Sequence, residues 1–519
     1  MCKKFLFFII QIVYVAQAFS QDWSYRIGPD TLKNKPYYAY LWIPSSANSG
    51  IRGLIMAPQI SSEWQFVRSP EIRKVAEKQK LAIVYFYPSR ISIMNAQDTL
   101  YLQHTLDKFA EMSGFQEIRH APWFLFGHST GCLFAMHLAY WKPERTFGVI
   151  CYKGGIVPNP KWFPGSINNV PVMGVQGEFE EYDNTQEVNA TDHSAVAVRR
   201  DVLNYRKASP DKNLFSATIL PGEGHMVWTK NGIGIIAEFI EKAARYRIPK
   251  DAIATGEPVE LNSLNLQDGW AAKGDPHTNI DEVKIGAMKD FINQDSCYWF
   301  FDKQFAKHWL ALEQDTQKER QFVCPPTEPP VLTPSPFKPL EFRPNGKIYE
   351  TQILMDSKIH ISGSSSSGLP VEVIYQTGPG FIENGILRVN PANIMDERVI
   401  RVGLRQNGSE RYRVADRLIK VRLNKCEGKE QKLNFGAIPK TLTSGDQVEI
   451  DVKSTSGLPV TLCVNAGPAV LNGNVLHVKP FTSKSGKAWI ILRAGQEGNK
   501  EFATAEPVEL IVEVENKNR

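Results

Sequence analysis

Several things this chain does not contain narrow what it can be. No cysteine belongs to a CxxC pair or stands beside histidines at metal-ligand spacing, which removes a zinc site. Lysines and arginines form no basic run, and the net charge is only +5 over 519 residues. Nothing therefore points to nucleic acid or to an acidic membrane surface. After the first residues no apolar stretch is long enough for a transmembrane helix. No cysteine closes the N-terminal apolar run, so a lipid anchor has no support. The hydrophobic share of 42% and charged share of 22% are those of a folded, soluble chain. Its length predicts two to four domains.

At the N-terminus, Lys3 and Lys4 precede an apolar run from Phe5 to about Val15, followed by Ala16-Gln17-Ala18. A short positive region, a short apolar core and a small-x-small site describe a cleavable export signal over residues 1–18. The mature chain is then expected to be secreted or periplasmic, with no transmembrane segment. Cys2 leaves with the signal. Of the remaining six cysteines, Cys132 and Cys151 read as small core residues, while Cys297 and Cys324 are candidates for pairing outside the cytoplasm.

From Tyr37 to Arg247 strand and helix patterns alternate. Short apolar runs at Tyr37–Ile43, Gly53–Ala57, Leu81–Tyr87, Trp123–Phe126, Phe147–Tyr152, Val170–Val175 and Phe215–Leu220 read as strands. Ser69–Gln79, Ala96–Met112, Gly131–Tyr140, Ala195–Arg206 and Gly232–Ala244 have the helical period. Alternation of this kind predicts an α/β domain with a doubly wound, mainly parallel sheet, whose ligands sit at the carboxyl ends of the strands. This domain is expected over 19–323. Its last part, 248–323, reads as a helical extension with helices at Ile285–Asn293 and Asp302–Glu313. A stretch with eight prolines between Cys324 and Pro344 reads as a stiff connector over 324–345. Beyond it the chain repeats. Ser367-Gly368-Leu369-Pro370-Val371 returns as Ser456-Gly457-Leu458-Pro459-Val460, Gly378-Pro379 as Gly467-Pro468, and Leu387-x-Val389 as Leu476-x-Val478. Strand-and-turn patterning predicts two all-β sandwiches, over 346–424 and 425–516.

The sharpest local signal is Gly127-His128-Ser129-Thr130-Gly131. An apolar strand runs directly into it and a helix pattern directly out. A turn this tight leaves no room for a Cβ at either glycine and holds Ser129 in a strained backbone, clear of the sheet. A serine hydroxyl needs an adjacent base near neutral pH. His225, in Pro221-Gly222-Glu223-Gly224-His225 after the last strand, is the expected base; His128 is tied to the turn, and His104 and His193 lie on or near helices. The orienting acid is expected after the strand Val170–Val175. Glu180 is favoured, with Glu178 and Asp183 as alternatives, which keeps the chain order serine, acid, histidine. The oxyanion donors are expected to be the N–H of Thr130 and that of Gln59 or Ile60, in the loop after Gly53–Ala57. Trp162, Phe179, Tyr182 and Trp228 are candidates for an apolar rim around the substrate.

GHSTG, the Gly-x-x-acid turn and GEGH make the region from Tyr37 to Arg247 resemble the α/β-hydrolase superfamily, in particular secreted serine esterases near polyester depolymerases and feruloyl or acetyl esterases. The sequence departs from many of these at Ala57-Pro58-Gln59, where they carry His-Gly. The two repeats resemble bacterial immunoglobulin-like modules, which in such enzymes act as spacers or adhesion units. The resemblance implies a serine carboxylic-ester hydrolase working through an acyl-enzyme without metal or cofactor, on an ester substrate such as an acetyl, feruloyl or methyl ester of a polysaccharide. A serine peptidase with the same triad, and an inactive carbohydrate-binding or adhesion protein on this scaffold, are the competing expectations.

Overall fold

A computed structural model describes residues 23–32, 35–87, 96–156, 165–179, 193–324, 343–345, 348–354, 359–393 and 398–517. The export segment expected at 1–18 lies outside them. Eight strands form one sheet: β1 (Tyr25–Leu32), β2 (Lys35–Trp42), β3 (Gly53–Pro58), β4 (Leu81–Tyr87), β5 (Trp123–His128), β6 (Thr146–Tyr152), β7 (Pro171–Gly177) and β8 (Leu214–Leu220). Their spatial order is β1-β2-β4-β3-β5-β6-β7-β8. Strand β2 is antiparallel to both β1 and β4, and from β4 to β8 every pairing is parallel. This order and sense are those of the α/β-hydrolase fold. The helices are α1 (Glu63–Arg68), α2 (Pro70–Gln79), α3 (Ala96–Ser113), α4 (Gly131–Trp141), α5 (His193–Ala208) and α6 (Lys230–Arg247). Strands β3, β5, β6, β7 and β8 are buried at every residue. That is why they read as unbroken apolar runs rather than as alternating ones. Among the described residues no helix is long and apolar enough to cross a membrane.

The extension over 248–323 is less helical than its sequence pattern. Lys284–Ala287 is a strand, paired antiparallel with Trp270–Lys273, on whose other side lies Tyr298–Phe300. The helix expected over Ile285–Asn293 is thus replaced by an edge strand and a single 3-10 turn at Met288–Asp290. Pairing with a neighbouring strand has overridden a weak local helix pattern that contains Gly286. The second expected helix is present over Lys303–Glu313, and the Asp302 carboxylate accepts the Phe305 N–H at 3.0 Å as its cap. Cys297 and Cys324 are both free thiols, one buried just ahead of the strand Tyr298–Phe300 and the other exposed on Val323–Cys324.

The C-terminal region is two successive all-β units with matching topology. In the first, a five-stranded sheet has the order Arg343–Asn345, Ile348–Leu354, Ala415–Asn424, Val399–Gln406, Glu372–Thr377, and in the second a four-stranded sheet has the order Thr441–Thr443, Val508–Glu515, Lys487–Gly495, Thr461–Ala466. Each is faced by a three-stranded sheet and has its own apolar core. Even the bulges correspond, one between Tyr375 and Thr377, the other between Val464 and Ala466. Val323–Cys324 pairs with Ser364–Ser365, as Leu433–Phe435 pairs with Val452–Ser454. Gln321 donates to Arg413 O at 2.5 Å, as Gln431 donates to Ala503 O at 2.6 Å. Residues 319–323, expected at the end of the hydrolase domain, and Cys324, expected at the start of the connector, therefore pair with strands of the first unit.

Both units are docked on the hydrolase body. The second lies along the β1–β2 edge. Gly467 N–H donates to Trp23 O at 2.8 Å, Arg26 binds Asn465 Oδ1 and both oxygens of Glu509 at 2.7–2.8 Å, and Lys484 Nζ meets buried Glu117 at 2.9 Å. Ala466, Ala488 and Ile491 belong to the same apolar cluster as the hydrolase core. A spacer or adhesion module held at a distance would show none of this.

Candidate active site

Strand β5 delivers Ser129 into α4 through a sterically tight turn. Ser129 has φ +56°, in the left-handed region that non-glycine residues rarely occupy. A Cβ on Gly127 would lie 2.1 Å from Gly131 O, and one on Gly131 would lie 2.6 Å from Glu63 Oε1. The first contact is with backbone and excludes a side chain, and the second would displace the buried Glu63 carboxylate. The Ser129 N–H donates to Tyr152 O at 2.9 Å, which anchors the turn to the end of β6.

His225 sits on the loop between β8 and α6. Its ring lies 4.8 Å, centroid to centroid, from that of His128, the residue preceding Ser129. A buried lysine holds the loop there. Lys153, just past β6, has φ +49° and a side chain with no exposed surface. Its ammonium reaches Glu223 Oε2 at 2.8 Å, Gly224 O at 2.6 Å and Val227 O at 2.8 Å, so all three acceptors belong to the His225 loop. Tyr152 OH donates to Val227 O at 2.6 Å, and Thr229, which caps α6, donates to the other Glu223 oxygen. Each element of the tether is local to one strand end or the other, but their pairing spans some seventy residues. No sequence pattern marks it.

His128 is fully buried. Its Nδ1 lies 2.6 Å from Ser62 Oγ, which also accepts the Trp228 indole N–H at 2.5 Å. Burial first, then the neighbouring His225 and Lys153, push its pKa well below the ordinary 6.5, so the ring is neutral at pH 7. It is a structural spacer against the turn, in line with the reading that it is tied there.

Glu63, on the short helix α1, carries no sequence signal and emerges only in three dimensions. It is completely buried, and its carboxylate accepts N–H groups from Ile60 at 3.0 Å, Ser61 at 2.7 Å and His128 at 3.0 Å. The loop after β3 is thereby laced to the nucleophile strand. Desolvation raises its pKa to about 7, against the pull of these N–H donors. Gln59, expected as an oxyanion donor, gives its N–H to Phe86 O at 2.8 Å, and Ile60, the other choice, gives its own to Glu63. Both N–H groups are committed because sheet pairing and a buried carboxylate compete for them. Thr130 N–H makes no hydrogen bond to the described residues.

Of the expected acids, Glu180 and Asp183 lie outside the described residues. Glu178 is buried and engaged elsewhere: one oxygen accepts the Gly222 N–H at 2.8 Å and the other pairs with Arg413 of the first all-β unit. Two of the expected rim aromatics are packed instead. Trp228 is 6% exposed and stacks 4.3 Å from Tyr152, and Phe179 lies beneath the Arg320 guanidinium at 3.6 Å. Trp162 and Tyr182 lie outside the described residues.

No family model and no curated protein matches the chain. Among solved structures it is similar to the siderophore hydrolase from Aspergillus nidulans, at 15% identity over 46% of this chain and 99% of that one, TM-score 0.32. An S-formylglutathione hydrolase from Agrobacterium tumefaciens is similar at 11% identity over 42% and 94%, TM-score 0.31. A dienelactone hydrolase from Anabaena variabilis is similar at 19% identity over 44% and 96%, TM-score 0.25. Strand order and the nucleophile turn define the fold independently of these likenesses.

Proposed function

We propose that the chain is a serine carboxylic-ester hydrolase. Ser129 Oγ attacks the ester carbonyl while His225 takes its proton, and the Thr130 N–H receives the developing oxyanion. His225 then protonates the departing alcohol, and water resolves the acyl-enzyme through the same base. For the acid that orients His225 the proposal keeps Glu180 first and Asp183 next, because both oxygens of Glu178 are already engaged. The mechanism needs no metal or cofactor. The proposal extends to export by the N-terminal segment and to an acetyl, feruloyl or methyl ester of a polysaccharide as substrate.

The observation that carries this reading is the pairing of two features. Ser129 is held at φ +56° in a turn where Gly127 has no room for a Cβ, and a buried ion pair tethers the His225 loop beside it. A scaffold without chemistry has no use for a strained serine at the sheet's carboxyl end. The test is labelling by a fluorophosphonate probe together with turnover of p-nitrophenyl acetate. Ser129→Ala is expected to abolish labelling and lower kcat by roughly three orders of magnitude or more. Equal labelling of the wild type and Ser129→Ala would sink the proposal. Turnover of peptides without turnover of esters would replace it with a peptidase.

A further inference from the structure

The five-stranded sheet of the first all-β unit lies across the catalytic end of the hydrolase sheet. On one side its edge strand Glu372–Thr377 packs against α1, which follows β3. On the other side, the segment after Val399–Gln406 reaches the His225 loop, which follows β8. There a Cβ on Gly222 would fall 2.0 Å from Val414 O, and Arg413 pairs with Glu178. Strand β5 and Ser129 lie between β3 and β8, so a sheet that touches both flanks bridges the space above the nucleophile turn.

The outer face of that sheet is polar and unsatisfied. Gln376, the extra residue of the bulge, and Asp416 both lie over Gly403, where a Cβ would meet Gln376 Nε2 at 2.7 Å and Asp416 Oδ1 at 3.2 Å. Gln376 is 3% exposed and Thr377 5%, and the Asp416 side chain has no exposed surface. Asp416 Oδ2 accepts from Arg405 at 2.9 Å. Among the described residues, neither end of the Gln376 amide, nor Thr377 Oγ1, nor Asp416 Oδ1 has a hydrogen-bond partner. Buried polar groups left this way are rare and costly, and they call for an explanation. Burial raises the Asp416 pKa to about 6 against the pull of Arg405, with Glu223 and Lys153 as weaker influences.

The second unit provides an internal comparison. Asn465 occupies the same bulge position as Gln376, and its Oδ1 accepts from Arg26 of the hydrolase at 2.7 Å. Arg493, opposite Cys463, stands where the first unit has Gly403, opposite Ile374. In one repeat the face is filled and closed by docking. In the other, Gln376 and Asp416 themselves occupy the space over Gly403, and their polar ends find no partner among the described residues.

We propose that this face of the first all-β unit forms part of the substrate site, and that its ligand is a sugar bearing the ester. The inference rests on the Ser129 reading and deepens it. A carboxamide offers donors at one end and an acceptor at the other, a carboxylate oxygen accepts, and a hydroxyl does both. Adjacent sugar hydroxyls match that set, whereas an alkyl alcohol satisfies none of it beyond one group.

The test uses the full-length protein and two esters, p-nitrophenyl acetate and an acetylated xylo-oligosaccharide. Gln376→Leu keeps the volume and removes the unpaired amide. Gly403→Arg installs the residue that the second unit carries. Each variant lowers kcat/KM for the oligosaccharide relative to p-nitrophenyl acetate by about tenfold or more, chiefly through KM. Should either fail to fold, Thr377→Val reads the same ratio. An unchanged ratio in the variants overturns the proposal, as does a wild type that hydrolyses p-nitrophenyl acetate but not the oligosaccharide. A wild type inactive on both esters and unlabelled by fluorophosphonate overturns the Ser129 reading instead.

Discussion

Lys153→Met tests whether the catalytic loop is held by one buried cation. The side chain of Lys153 is 0% exposed and that of Glu223 2%, so neither group can exchange its partner for water. Removing the ammonium leaves a carboxylate in the interior and two carbonyl oxygens, Gly224 O and Val227 O, without their 2.6 Å and 2.8 Å donors. Breaking a buried pair from one side costs about 3–5 kcal/mol, because the remaining charge is uncompensated. Thr229 still donates to Glu223 and Tyr152 OH to Val227 O, which sets the expected loss near the lower end, about 3 kcal/mol. Urea unfolding of the wild type and the variant measures the loss. The double variant Lys153→Met/Glu223→Gln removes the stranded charge and is expected to regain at least about half of the loss. Ester turnover falls in the single variant because the loop carrying His225 loses its tether. A cost below about 1 kcal/mol, or a double variant no better than the single, would refute the reasoning.

Two further outcomes follow from the same geometry. Gly127→Ala forces a methyl group to within 2.1 Å of a backbone oxygen, so the turn must open. A loss above about 3 kcal/mol together with loss of fluorophosphonate labelling is expected, and a melting temperature unchanged within about 2 °C would contradict it. Glu63 is raised from 4.5 to about 7 by burial, so the folded state holds its proton where the unfolded state has lost it. Its contribution declines as pH climbs from about 4.5 to about 7 and is level above that, an upper limit of about 3 kcal/mol. Urea midpoints across this window should fall more steeply in the wild type than in Glu63→Gln, and parallel slopes would remove Glu63 as the cause.

The parts of the protein readable from sequence are those whose cause lies within a few residues. Strands β3, β5, β6, β7 and β8 announce themselves because parallel strands covered on both faces must be apolar throughout. Strand β1 carries no such signal, since its Tyr-Arg-Ile-Gly-Pro start has neither a continuous nor an alternating pattern and is held by pairing with β2 and by the second all-β unit. The helix expected at Ile285–Asn293 misled for the same reason in reverse. A weak local preference yielded to a neighbouring strand.

By itself the sequence determined the nucleophile turn, the alternating α/β order and the duplication of the C-terminal unit. A glycine with no room for a Cβ, a hydrophobic period and a repeated motif are all properties of contiguous residues. Tertiary structure alone decided that Lys153 grips the His225 loop, that Glu63 consumes the N–H groups of the β3 loop, and which face of each all-β unit meets the hydrolase. Those outcomes depend on the desolvation of charges and amides brought together from far apart in the chain. The energy of a buried polar group is set by what surrounds it, and a linear sequence does not specify its surroundings.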